Sequence, residues 1–502
     1  MQKEKLFEKI ILAIIVLSLG LAGFNESPSF PYDDKYFEAA ERIVFIAPQE
    51  ASLNIIPKEG KNLDIKFYLA ENQIDVDGSV LDANPRSFYG LNDSLEIPIL
   101  LQWHTSRFHY KIEYKESKES AWRSTPKRSV NVPGSSSKTK IIFISDDHYF
   151  DDAGLSNPDQ SICLNNTIAQ IQKENPDLII NLGDTGLAAG HRWEQLGLKS
   201  QHQATLAEID QYEKLFRINQ RKIFSALTPT VPIYWVLGNH DNEAGFNRTR
   251  ESAVKYRKKY WKQPQNSSSD ENYFWLMLEQ RKILIAALDV MAYNLDLPRK
   301  PEDWTIGIEQ KQRLKEILKS DADWKFVCGH HVLGGWPSGS TEDEKTYAYG
   351  RGPLFTENDY RGFCSDTSRI EQVELTKIML DNGVDAFIYG HDHIFHSKNI
   401  GVNFRGRILR GICVGSPKYI GELNWYKGAY WREFYGNFGK YGDYDDNRTH
   451  QERTDFWGPS GYVKLTIIKG GAEIEYIRSA YHSLTNIPPF IQNGDCIQRI
   501  VF

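Results

Sequence analysis

The sequence predicts an α/β fold preceded by a small all-β sandwich. After residue 138, short β-branched runs alternate with helical patterns, which is the grammar of an α/β chain. Ahead of it, residues 41–136 carry period-two strand patterns and no helical one. Most of the later β-runs also stop at a residue able to bind a metal. The 502 residues leave room for about three domains of ordinary size.

Lys3, Lys5 and Lys9 precede an apolar stretch at 10–24 that is broken only by Ser18 and two glycines. Its length falls short of the roughly 20 residues a membrane span needs and matches the core of a signal peptide. Residues 1–30 are therefore expected to be a signal peptide or an uncleaved N-terminal membrane anchor. The rest is expected to work in a secreted, periplasmic or otherwise extracytoplasmic setting. Within 41–136, alternation at 64–69 and 110–114 marks strands of a β-sandwich domain, and 133–137 reads as a linker. From 138 to 502 the expected strands are 141–144, 178–182, 233–237, 283–288, 326–328, 386–389 and 408–414. Helices are expected at 167–174, 205–227, 309–319 and 370–380. The Gly- and aromatic-rich segment 421–460 lacks periodicity and reads as a long loop, and strands within 461–478 close the region.

Lys and Arg total 60 against 66 Asp and Glu, a net charge of −6. No nucleic-acid partner is expected, because phosphate-backbone contacts need clustered basic residues. Cys328 and Cys413 sit in apolar runs and are expected to be buried. Cys163, Cys364 and Cys496 are the candidates for pairing in an oxidising compartment. Five cysteines make at most two disulfides, and no zinc cluster is expected.

Where the runs end is more informative. The run 141–144 leads into Ser145-Asp146-Asp147-His148, and 178–182 into Gly183-Asp184. The run 233–237 leads into Gly238-Asn239-His240-Asp241, 326–328 into Gly329-His330-His331, and 386–389 into Gly390-His391-Asp392-His393. Open α/β sheets place their sites beyond the carboxyl ends of strands. Residues two apart on an extended segment point the same way, so Asp146 and His148, or His391 and His393, each present two ligands together. Four His, two carboxylates and an amide oxygen suit Zn, Mn or Fe better than Ca or Mg. The set exceeds the needs of one tetrahedral ion. A shared carboxylate would let it hold two, about 3.5–4 Å apart.

On these five motifs the chain resembles the calcineurin-like metallophosphoesterase superfamily over about residues 140–416. The resemblance implies a layered α/β/β/α sandwich and two divalent ions, Mn, Zn or Fe. It implies Asp146, His148 and His393 on one ion, Asn239, His330 and His391 on the other, and Asp184 bridging. His330 rather than His331 is carried over because the family ligand directly follows the strand; the usual Pro two positions later is Val332 here. The leading β-region also looks like that of the purple acid phosphatases. Those enzymes have a metal-binding Tyr where this chain has Leu187, and Gly where it has His148.

The resemblance implies an exported phosphoesterase that hydrolyses a small phosphomonoester or phosphodiester with an ion-activated water. His240 is the candidate proton donor to the leaving oxygen, with Asp241 orienting its ring. Arg351, Arg361 and Trp336 are candidate substrate contacts in the loop after His331. Two alternatives belong to the same superfamily. A secreted nucleotidase would want a large C-terminal domain, whereas about 85 residues follow Ser416. A sphingomyelinase-like lipid phosphodiesterase would want a Cys-rich N-terminal module, and residues 41–136 have no Cys. A non-catalytic, metal-stabilised binding protein is the third alternative; it would have lost a ligand or His240. With Leu187 at the tyrosinate position, metal-loaded protein is expected to lack a visible charge-transfer band, and an intense purple colour in the absorption spectrum would contradict that reading.

Overall fold

The computed structural model describes residues 32–70, 85–102, 105–148, 158–185, 204–241, 243, 249–264, 271–290, 306–331, 366–391, 395–417, 455–457, 461–479, 494 and 496–502. The expected signal or anchor segment lies outside them. Among the described residues, no helix is long and apolar enough to cross a membrane.

The N-terminal region is all strand: β1 (Arg42–Ala47), β2 (Glu50–Ile55), β3 (Leu63–Ala70), β4 (Arg86–Leu91), β5 (Leu95–Leu100), β6 (Arg107–Glu116), β7 (Arg123–Ser124) and β8 (Arg128–Asn131). One sheet has the order β1-β2-β5, the other β4-β3-β6-β7, with β8 also on β6. The alternation read from sequence decides the inner face. Ile65, Phe67, Tyr110, Ile112 and Tyr114 are buried against Ile43, Leu53, Ile97 and Ile99 of the facing sheet.

The remaining elements, in chain order, are β9 (Thr139–Ile144), α1 (Pro158–Glu174), β10 (Leu178–Asn181), α2 (Leu206–Ile223), β11 (Ile233–Trp235), α3 (Arg250–Tyr260), β12 (Phe274–Leu278), β13 (Ile283–Ala287), α4 (Gly307–Ile317), β14 (Trp324–Cys328), α5 (Asp366–Asp381), β15 (Ala386–Tyr389), β16 (Phe395–Val402), β17 (Ile408–Cys413), β18 (Asp455–Trp457), β19 (Gly461–Ile468), β20 (Gly471–Arg478) and β21 (Cys496–Val501). One six-stranded sheet has the order β11-β10-β9-β19-β20-β21, and a seven-stranded sheet the order β12-β13-β14-β15-β17-β16-β18. Strands β9, β10 and β11 run parallel, as do β13, β14, β15 and β17. The sheets face each other through Phe143, Ile180 and Leu465 on one side and Ile285, Phe326 and Ile388 on the other. The outer face of the first is covered by α1, α2 and α3 through Ile171, Ile218 and Tyr256. That of the second is covered by α4 and α5 through Leu314 and Met379. The result is the expected α/β fold, layered α/β/β/α, behind a β-rich N-terminal region.

Several elements differ from expectation. Residues 455–457, placed in a long loop by sequence, form strand β18 against 395–397. A short edge strand is held by main-chain bonds that carry little side-chain pattern; the rest of 421–454 and 458–460 is outside the described residues. Strands β12, β16 and β21 and helix α3 carry no clear sequence signal. Helix α1 begins at Pro158, well before 167, because proline suits the first turn of a helix. Cys328 and Cys413 are buried as expected; Cys496 opens β21 and is exposed. Cys364 and the Cys163 side chain lie outside the described residues.

The β-rich region docks on the edge of the first sheet through buried polar groups. Arg42 donates to Ile233 O (2.8 Å), and Tyr110 Oη to Pro229 O (2.7 Å). Tyr234 Oη donates to Phe45 O (2.9 Å) and accepts from Phe45 N (3.2 Å). Arg221, fully buried on α2, donates to Ala40 O (2.7 Å), Asn54 O (3.1 Å) and Asn54 Oδ1. Burial and the nearby Arg42 charge lower its pKa to about 9. Replacing Arg221 with Ala strands three buried acceptors, and each orphaned group costs about 1–3 kcal/mol. Chemical denaturation of Arg221→Ala should show a loss of several kcal/mol, with the β-rich region melting ahead of the rest; an unchanged single transition would mean the docking does not rest on this residue.

Candidate metal centre

The parallel strands β9, β10, β11, β14 and β15 all end on one side, so the turns that follow them converge. Asp146 N donates to Gly183 O (2.9 Å), His148 N to Asp184 O (3.0 Å) and Gly390 N to His330 O (2.9 Å). Turns this tight need unusual backbone. Asp146 (φ 56°), His148 (36°), Asp184 (56°) and His391 (72°) all adopt left-handed conformations. They are four of the seven non-glycine residues described in that region of φ, so the strain is gathered at this site. Close approach also demands glycine at two positions. A Cβ on Gly238 would collide with the Asp184 carboxylate, and one on Gly390 with Ser145 Oγ and Asp146 Oδ2.

Asp146, His148, Asp184, His330 and His391 are buried, and Asn239 and His240 are half-buried. His330 Nδ1 sits 2.8 Å from Leu182 O, which can only accept, so the ring proton is on Nδ1. Nε2 of the neutral ring is then an acceptor. It faces the oxygens Asp184 Oδ2 at 3.1 Å and Asn239 Oδ1 at 3.2 Å and the ring nitrogen His391 Nδ1 at 3.3 Å. Converging oxygen and imidazole atoms of this kind fit a divalent transition metal. The electrostatics agree. Burial alone would lower the His330 pKa, but Asp184 and Asp146 reverse that and raise it to about 9. Burial would raise Asp184, and the His330, His240 and His148 charges overcome it and hold Asp184 well below the usual carboxylate range. Burial pushes Asp146 well up, and the Asp184 charge adds to it.

Two overlapping triads lie close enough to hold a metal ion, Asp146, Asp184 and His330, and His330, His331 and His391, with His330 common to both. The sequence reading chose His330 over His331, yet the structure brings both rings to His391, with centroids 5.2 and 4.3 Å away. The doubled His was the available signal. Ser416, which donates to Asp146 O (2.6 Å), had none, since it lies 270 residues from its partner. His393, Asp392, Leu187, Arg351, Arg361 and Trp336 lie outside the described residues.

His240 stands beside the centre, with Nε2 3.9 Å from Asp184 Oδ2 and its ring 5.3 Å from that of His148. Its main-chain N–H donates to Asp184 Oδ1 (2.8 Å). The Asp241 carboxylate accepts the main-chain N–H groups of Gly238 (2.8 Å), Asp184 (2.9 Å) and Thr185 (3.1 Å). It therefore clasps the two turns together, because a fully buried carboxylate satisfies its charge with the nearest donors. Asp147 does the same work one turn away, accepting from Asn181 Nδ2 (2.9 Å).

A family model, calcineurin-like phosphoesterase, matches residues 139–395, just over half of the chain. No curated protein matches the chain.

Gly390→Ala tests the close packing of the turns. It should lose bound metal, measured by elemental analysis, and about 1–3 kcal/mol of stability. Gly470, left-handed in the β19–β20 turn with nothing near its Cβ position, supplies the control. Gly470→Ala should cost about 1–2 kcal/mol of backbone strain and leave metal content unchanged. Equal metal loss in both would show that the effect is global rather than local.

Proposed function

We propose, from the premise that the chain belongs to the calcineurin-like phosphoesterase family, that it is an exported hydrolase of small phosphomonoesters or phosphodiesters using two divalent ions. Membership makes it a metal-dependent phosphoesterase. The observation that supports the finer reading is the cluster of oxygen and imidazole atoms around His330 Nε2, which suits a metal cation. In this reading Asp146, His148 and His393 would hold one ion, and Asn239, His330 and His391 the other, with Asp184 shared. Two sets meeting at one carboxylate account for more ligands than one ion uses. Export is supported by the apolar stretch at 10–24 behind three lysines.

Divalent ions bound there would supply Lewis acidity, offsetting charge on phosphoryl oxygens and acidifying water. The chain's own residues do the rest. His330 donates a hydrogen bond from Nδ1 to Leu182 O, which keeps Nε2 aimed at the centre. His240, half-exposed beside Asp184, delivers a proton to the departing oxygen from Nε2 or Nδ1. Asp241 keeps the His240 turn against the Asp184 turn. Arg351, Arg361 and Trp336 are proposed to receive the substrate's outer groups.

A reconstitution panel with Mn, Zn, Fe and Ni should give turnover on an aryl phosphate or a bis-aryl phosphodiester; silence on every monoester, diester and phosphonate would sink the reading. Asp184→Asn should lose metal and activity together. His240→Ala should retain metal and lose about 10²–10⁴-fold in kcat on an alkyl ester, with a much smaller loss on a nitrophenyl ester, whose leaving group departs without a proton. Metal loss from His240→Ala, or equal slowing on both esters, would make His240 structural.

A further inference from the structure

We propose that Arg217, Arg257 and Glu243 are positioning residues that hold the turn carrying Asn239 and His240 in register with the metal centre; this rests on the reading of His240 given above. The turn is short and its working side chains are half-exposed, so their placement depends on what grips the backbone from behind. Asp241 grips it through its carboxylate. A second grip comes from two helices. Arg217 of α2 donates through one nitrogen, Nη2, to Asp241 O (3.0 Å) and to Glu243 Oε1 (2.8 Å). Arg257 of α3 donates through Nε to both oxygens of Glu243 (2.8 and 2.9 Å).

The clamp also reaches the start of the turn. Arg257 Nη1 donates to Asn272 Oδ1 (3.2 Å), and Asn272 Nδ2 donates to Trp235 O (2.6 Å), the last residue of β11. Trp235 O, Asp241 O and the Glu243 side chain are thus joined in one connected network. All three charged side chains are nearly inaccessible, at 1% for Arg217, 4% for Arg257 and 3% for Glu243. One carboxylate shared by two guanidinium groups in a dry setting gives strong, directional bonds. Removing one partner leaves a buried charge, so the network acts as a unit. The fork is used as well, because Nη1 donates to Gln220 Oε1 (3.0 Å) while Nη2 serves Asp241 and Glu243. A lysine at 217 keeps the charge but has one nitrogen and cannot span all three acceptors.

The test uses the full chain with Arg217→Met, Arg217→Lys and Glu243→Gln. Hydrogen exchange on metal-free protein reads the turn without any activity. The amides of 238–241 should exchange faster in Arg217→Met while those of β13 stay protected. Metal content should fall at most in part, because Asn239 is one proposed ligand among seven and the others do not sit on this turn. On a metal-loaded sample kcat for an alkyl ester should fall about 10²-fold, the scale expected when a reacting group shifts by about an ångström. The loss should be several-fold smaller on a nitrophenyl ester, KM should change little, and Arg217→Lys should recover part of the rate. Unchanged exchange at 238–241, uniform loosening of the whole fold, or equal loss on both esters would overturn the proposal. If Arg217→Met fails to fold, Glu243→Gln carries the same measurements with nearly the same shape. If the unmodified protein turns over no ester, the functional reading falls while the exchange result still decides whether the network holds the turn.

Discussion

Two buried carboxylates at the ends of neighbouring parallel strands set the terms for everything around them. Asp146 and Asp184 are 0% and 1% exposed, and the Asp184 charge adds to the upward push of burial on Asp146. A buried anion is costly unless a positive partner and hydrogen bonds offset it. Three imidazoles, His148, His240 and His330, supply that partner to Asp184. The same carboxylates raise the pKa of His330, so this ring offsets part of their charge when it holds a second proton. A divalent cation answers the same demand with more charge, and the bond from His330 Nδ1 to Leu182 O leaves the correct nitrogen facing it. Metal affinity and the arrangement of the acidic strand ends are therefore one constraint.

That constraint is held by backbone that would not adopt its shape unaided. Four candidate ligands sit at positive φ, and such conformations cost on the order of 1–3 kcal/mol each. The surroundings over-determine them. The turns are stitched by main-chain bonds, glycines allow the close approach, and Asp241 binds three N–H groups from two turns at once. Beneath lies a core packed from two sheets, with Phe143, Ile180, Ile285 and Ile388 fully buried. Rigid strands carry the strain to where the ligands are needed. This is why a single Cβ at position 238 or 390 is felt by a carboxylate.

Buried arginines recur as the means by which peripheral elements are tied to this core. Arg42 and Arg221 join the β-rich region to β11 and α2. Arg217 and Arg257 join α2 and α3 to the turn after β11. Helix α2 carries two of these four residues four positions apart, so one helix face serves both the docking surface and the site. The β-rich region thus leans on the same helix that supports the His240 turn.

Much of the site was legible in the sequence because its ligands follow local rules. A β-run ending in Gly and then Asp, Asn or His is a local pattern, and strand ends in a parallel sheet share one side by topology. Helix α2 was similarly legible: Thr205 and Glu208 form a capping box written in four consecutive residues. What the sequence could not decide were the non-local choices. Strand β18 is defined by main-chain pairing with β16, a partner about 60 residues away that no side-chain period announces. Asp241 reads in sequence as a group serving its neighbour His240, and only the fold shows its oxygens also holding the main-chain N–H groups of two turns. His331 looked redundant beside His330, and only the approach of β15 to β14 brings it against His391. Ser416, Arg217, Glu243 and Arg257 gain meaning solely from elements that meet in space. Residue types and spacings determined which groups were available for metal chemistry; packing of distant strands and helices decided which of them face the centre, because burial and hydrogen-bond satisfaction are settled among neighbours in space and not along the chain.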